Sequence, residues 1–92
     1  MQKNYRSRTD IIAQILHATN RGVPKIKIMY KVFLSYEQIQ EYLDILIQGG
    51  LLEYLEVTQT YKTTEKGLKF LRVYEQMQGE LSTTTTTNSQ IK

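Results

Sequence analysis

The chain has 92 residues, 40% of them apolar, which allows one domain with a modest core. It has no cysteine and a single histidine, His17, which excludes disulfides, thiolate metal sites and the usual zinc and Ser/His catalytic sets. The net charge is only +3 but it is uneven: residues 1–31 hold seven bases against Asp10 alone, residues 32–60 five acids and no base, and residues 61–92 five bases and three acids. No apolar run approaches the roughly 20 residues of a membrane span and no signal-peptide core opens the chain, so a soluble cytoplasmic protein is expected.

Residues 1–6 read as a flexible basic N-terminus. Ser7 is a good N-cap, and Asp10 three positions on puts a negative charge in the first turn of a helix, where the macrodipole favours it. Ile11, Ile12, Ile15 and Leu16 form its inward stripe, and Asn20 and Gly22 end it. His17, late in that helix, suits a solvated or C-terminal dipole partner better than a phosphate contact. Pro24 fits the first position of a short second helix, with Ile28, Met29 and Val32 inward and Lys25, Lys27 and Lys31 outward. Val32-Phe33-Leu34 turns the chain into the next helix.

That third helix, 35–48, organises the rest. Ser35 and Gln38 make a capping box, Leu34 and Ile39 a hydrophobic staple, and Ile39, Tyr42, Leu43, Leu46 and Ile47 an apolar stripe. Gly49-Gly50 stops it, because glycine takes the left-handed position without a Cβ penalty. LLEYLEV then reads as a half-buried strand, Thr58-Gln59-Thr60 as a turn and Tyr61-Lys62-Thr63 as its returning partner. Two helices joined by a tight turn and followed by a two-stranded ribbon spell a helix-turn-helix with a wing.

Thr64 caps a last helix over 65–81, with Leu68 and Leu71 toward the domain. Phe70, Tyr74, Met77 and Leu81 recur at steps of four, three and four, a second stripe with heptad spacing and a candidate dimer seam. Residues 82–92, with their threonine run, lack an apolar face and are expected to be disordered. The fold class is α+β, mostly helical: three helices and a two-stranded β-wing over 7–64, then the C-terminal helix.

KIMYKVFLSYEQIQEYLDILIQGGLLEY (27–54), YKTTEKGLKFL (61–71) and the apolar C-terminal helix together resemble the small archaeal winged helix-turn-helix DNA-binding proteins. The likeness covers most of residues 8–80. It implies that the helix matching Ser35–Gln48 enters the major groove, and that the hairpin matching Thr58–Tyr61 touches the neighbouring backbone or minor groove. It also implies a homodimer joined through the last helices. Thr63 departs from the pattern, since the wing strand commonly carries an aliphatic residue there.

A basic first third suits a polyanion. Arg6, Arg8, Arg21, Lys25, Lys27, Lys31 and, from the wing, Lys62 are the candidates for phosphate contact. Tyr36, Glu37 and Gln40 are the candidates for base reading: Gln40 can pair with adenine, Glu37 can accept from cytosine N4, and Tyr36 can meet a thymine methyl or a phosphate. Glu41 and Asp44 conflict with this unless the helix enters by its N-terminal end or Lys27 and Lys31 neutralise them. The expected partner is duplex DNA, bound by a nucleoid-associated transcription regulator or chromatin factor. The alternative is a protein-interaction module in a transcription or replication assembly, docking through Glu37, Glu41, Asp44, Glu53 and Glu56. No glycine-rich phosphate loop, metal cluster or nucleophile–base pair is present, so neither an enzyme nor a cofactor is expected.

Overall fold

Ser7 accepts from the Asp10 amide at 3.0 Å while its own amide donates to the Asp10 carboxylate at 3.0 Å, so the first helix begins with a complete capping box. In the computed structural model, which describes residues 6–90 and the side chains of 6–79, this helix is α1, Arg8–Ala18. It buries Ala13, Ile15 and Leu16, with Ile11 and Ile12 partly covered beside them. Thr19 closes it, and Gly22 then turns the chain with a left-handed φ of 85° that a side chain would resist.

Helix α2 is Lys25–Val32. Pro24 stands one position earlier than the spacing suggests: its ψ of 160° is extended, so it is the N-cap and not the first helical residue. Val32, read as the start of the turn, is the last helical residue and buried; its side chain packs with Ile28 in the core. The turn itself is made by Phe33, left-handed at φ 56°, whose amide bonds Met29 O at 2.9 Å.

Helix α3, Tyr36–Gln48, repeats the capping box at Ser35, with Gln38 N to Ser35 Oγ at 3.2 Å and Ser35 N to Gln38 Oε1 at 3.0 Å. Ile39, Leu43 and Leu46 are fully buried, each stabilising the fold by about 1.5–3 kcal/mol. Tyr42 is only partly covered and Ile47 is exposed, so the buried stripe is narrower than the apolar pattern. A Schellman motif ends the helix: Gly50 N reaches Ile47 O at 3.0 Å and Leu51 N reaches Leu46 O at 2.9 Å, with Gly50 at φ 79°.

Strands β1, Leu52–Leu55, and β2, Thr60–Thr63, pair antiparallel in the register Leu52–Thr63 to Leu55–Thr60. The connecting loop is residues 56–59, starting two positions before the expected turn and ending one before it, with Gln59 left-handed. The ribbon gains a further rung from outside the hairpin, because Val23 and Tyr61 exchange backbone bonds of 3.0 and 2.8 Å. At its base Thr63 is buried against Thr19. Thr63 Oγ1 donates to Leu16 O at 2.6 Å, and Thr19 Oγ1 lies 2.8 Å from both Ile15 O and Thr63 Oγ1. Two buried hydroxyls thus satisfy each other, which explains how a threonine occupies a place suited to an aliphatic side chain.

Helix α4 is Glu65–Gln90. Thr64 caps it, accepting from Gly67 N at 3.1 Å. Gly67 lies so close to the preceding strand that an added Cβ would stand 2.3 Å from Leu51 O. The helix passes Leu81, where the sequence pattern ends it, and continues to Gln90, so 82–90 is helical backbone and not the coil expected there. No proline or glycine follows Gly79, and once a helix is nucleated each further residue adds a bond at little cost, even for threonine. Residues 91 and 92 of the tail expected to be disordered lie outside the described residues, as do residues 1–5 of the N-terminus expected to be flexible.

Candidate nucleic-acid interface

The 3.6-residue period of α3 gives its outer surface three strips. Tyr36, Gln40 and Asp44 follow one another down the flank that meets Lys25. Lys25 Nζ lies over the Tyr36 ring, 4.7 Å from its centroid, and donates to Gln40 Oε1. Gln40 Nε2 in turn donates to Asp44 Oδ1 at 3.1 Å. Tyr42 faces the opposite flank, where the Arg8 guanidinium sits 5.5 Å from its ring. Between the flanks, Glu37 and Glu41 stand exposed on the crest with no ionic partner among the described residues.

The acids are therefore not neutralised by Lys27 and Lys31, as charge balance suggested. Asp44 is held by Gln40, and the one contact between a basic and an acidic side chain among the described residues joins His17 Nε2 to Glu75 Oε2 at 2.9 Å. Lys31 lines a groove between α1 and α4, away from α3. His17 keeps an exposed place in the last turn of α1, as expected, and its ring also ties that end of α1 to Glu75 on α4.

The seven candidate phosphate contacts divide by what already holds them. Arg6 donates to Val32 O at 2.7 Å and to Gln14 Oε1 at 2.6 Å, so its guanidinium closes the C-terminal end of α2. Lys25 is committed to Gln40 and Tyr36. Arg8, Arg21, Lys27, Lys31 and Lys62 are exposed and make no hydrogen bond or ion pair among the described residues. Arg21 and Lys62 lie on the wing side, because the α1–α2 turn is bonded to β2 through Val23 and Tyr61. Arg8 lies on the far side of α3. Cations thus flank both long edges of a crest that carries none.

Gln40, the best of the base-reading candidates, has both amide atoms engaged, so it reads a base only by exchanging Lys25 and Asp44. Tyr54 and Tyr61 also stand beside this surface, unlisted by residue type alone. Their rings are 4.8 Å apart across the ribbon, a pairing recoverable from the hairpin register. Burial raises the Tyr61 phenol above its usual value, with Lys25 opposing and Tyr54, Asp44 and Tyr36 adding to the rise. Tyr61 is therefore a neutral donor throughout the physiological range. The tip of the wing carries Val57, 98% exposed and flanked by Glu56, where a phosphate contact would need a base.

Of the seam residues, Phe70 and Tyr74 fold back on the domain, their rings stacked 6.4 Å apart and the Tyr74 hydroxyl bonded to Asp10. That bond, followed by the Ser7 amide, holds the Asp10 carboxyl below its ordinary value. Met77 is exposed beside Val73 along a 300 Å³ groove that Ser7 and Thr9 also line. The Leu81 side chain lies outside the described residues. Among those residues no group of acids and histidines could hold a metal ion, and no helix is long and apolar enough to cross a membrane.

Comparison with known proteins places this geometry. The sequence model of one family, described as winged helix-turn-helix, matches residues 5–82. No curated protein matches the chain by sequence. Among solved structures, the crystal structure of Sso10a-2, a DNA-binding protein from Sulfolobus solfataricus, superposes with a TM-score of 0.71 at 22% identity. The match covers 94% of this chain and 96% of that one, so the likeness in fold includes the C-terminal helix.

Proposed function

This chain belongs to the winged helix-turn-helix family, and from that membership we propose that it binds duplex DNA as a transcription regulator or chromatin-associated factor of the cytoplasmic nucleoid. The observation that carries the reading is the exposed crest of α3 set between two cationic flanks. A helix laid in the major groove has a phosphate backbone on either side, and Arg8 on one edge with Arg21 and Lys62 on the other suit those two backbones. Lys27 and Lys31 add to the basic field, and Tyr36, Glu37 and Gln40 on the first turns are the residues placed to meet bases. The DNA-binding character of Sso10a-2, which shares the fold, supports the same reading.

Entry by the N-terminal end of α3 keeps Asp44, two turns along, out of the groove, and its bond to Gln40 keeps its charge beside Lys25. The test is a fluorescence-anisotropy titration of the full chain with duplex DNA at two salt concentrations. Binding that weakens steeply with salt is expected; no binding at low salt, or binding indifferent to salt, ends the reading.

The second reading, a protein-docking module, is favoured by the unpaired Glu37 and Glu41. Replacing Glu41 and Asp44 with lysine separates the two. The duplex reading expects unchanged or tighter DNA binding, whereas docking through this face expects a partner to be lost. Pairing of two chains through Val73 and Met77, beside Phe70 and Tyr74, is the matching proposal for α4. A monomer in sedimentation equilibrium at tens of micromolar would end it.

A further inference from the structure

We propose that the outer face of α2 and the turn that closes it form a stacking platform for unpaired nucleobases. Ile26 and Tyr30, four residues apart, share one face of α2, opposite the buried Ile28 and Val32, and Phe33 stands at the turn that closes the helix. They are 52, 72 and 82% exposed. Phe33 also occupies the left-handed position that glycine takes elsewhere in the chain, with its amide fixed to Met29 O at 2.9 Å. The domain's packing makes little use of this ring, and the backbone there would be easier without it. A large aromatic side chain held outward on a strained, anchored backbone points to a contact outside the fold.

Charge selects the occupant. The only ionisable groups of α2 besides the Tyr30 phenol are Lys25, Lys27 and Lys31, with no acid, and Arg6 places its guanidinium at Val32 O and Phe33 O under the same turn. Lys27 and Lys31 directly follow Ile26 and Tyr30 in the chain and have no partner among the described residues. Aromatic faces interleaved with cations suit a strand that offers bases to stack and phosphates to neutralise. A second copy of this face would bring the same positive charge against it. A closed duplex hides its base faces, so the ligand is single-stranded or opened nucleic acid. The platform shares only Lys27 and Lys31 with the residues assigned to the duplex.

The experiment titrates the full chain with a labelled thymidine oligonucleotide of about a dozen bases and, separately, with a duplex of similar length. Wild type is expected to bind the single strand. The Tyr30→Ala/Phe33→Gly variant should weaken that binding about tenfold or more while duplex affinity stays within about twofold. Phe33→Gly suits the left-handed backbone, so the variant should keep its fold, which a melting curve verifies. Lys27→Gln/Lys31→Gln retains the rings and should weaken single-strand binding with a shallower salt dependence. Failure of wild type to bind the oligonucleotide at low salt, or equal binding by the double ring variant, overturns the proposal. So does a change in sedimentation of the ring variant without nucleic acid, which would assign the face to self-association. Loss of this inference with duplex binding intact leaves the duplex reading standing.

Discussion

Helices α2 and α3 end by the same device on different residues. Each closes on a left-handed residue, Phe33 at φ 56° and Gly50 at φ 79°, and each has its terminal carbonyls capped by a cation. Arg6 bonds Val32 O at 2.7 Å, and Lys66 bonds Gly49 O at 2.9 Å. The end of α3 is also tied to the start of α4, since Thr64 Oγ1 donates to Gly50 O at 2.6 Å. The end of α2 leaves its side chain in solvent. Glycine suffices where the fold alone decides; the aromatic ring at the other end answers to something the fold does not contain.

The sharpest way to break the tied end is Gly67→Ala. Its Cβ would meet backbone at 2.3 Å, so the strand-to-α4 junction must open. We expect a loss of about 3 kcal/mol, roughly 15 °C in melting temperature for a domain of this size. Gly50→Ala comes next, at about 1 kcal/mol. The added Cβ has ordinary contacts with Lys66, so the cost there is that of the backbone angle alone. Thr63→Val, at the base of the ribbon, should cost about 1 kcal/mol by urea titration, because buried Leu16 O loses its 2.6 Å donor and keeps only the Thr19 hydroxyl at 3.3 Å.

Phe33→Gly should act with the opposite sign, leaving stability unchanged or raising it by about 0.5 kcal/mol as left-handed strain is traded against unfolded-chain entropy. A clear loss would mean that the ring serves the fold after all, and the contrast between the two ends would disappear. The smallest effect is expected from Tyr74→Phe. Because the Tyr74 hydroxyl lowers the Asp10 pKa from 3.8, that contribution is present above the ordinary carboxylate range and is lost as pH falls through the folded value. The stability gap between wild type and variant should therefore close on acidification below about pH 4.

The local devices of this fold were legible because each is written within a few neighbouring residues. Ser7 with Asp10, Ser35 with Gln38 and the Gly49-Gly50 stop all appear where spacing places them. The devices that join distant segments were not. Thr19 and Thr63 are 44 residues apart, and nothing in either neighbourhood announces a shared buried hydroxyl pair. The Val23–Tyr61 rung and the Gly67 close approach are tertiary in the same way. For the candidate site, charge counting found the basic side chains but treated each as free. It could not show that Arg6 and Lys25 are spent on Val32 O and Gln40, nor that Lys31 turns toward α1 and α4. Phe33 makes the turn its place in the sequence suggests, but its left-handed φ and its exposure exist only in three dimensions.

The rung between Val23 and Tyr61 fixes more than one strand. It clamps the root of the hairpin to the segment that leads into α2, so residues 56–59 are the part of the hairpin outside the ladder. On the proposed duplex reading, the placing of the wing root beside the start of α2 is therefore set by the fold, and a groove of different width would have to adjust to it.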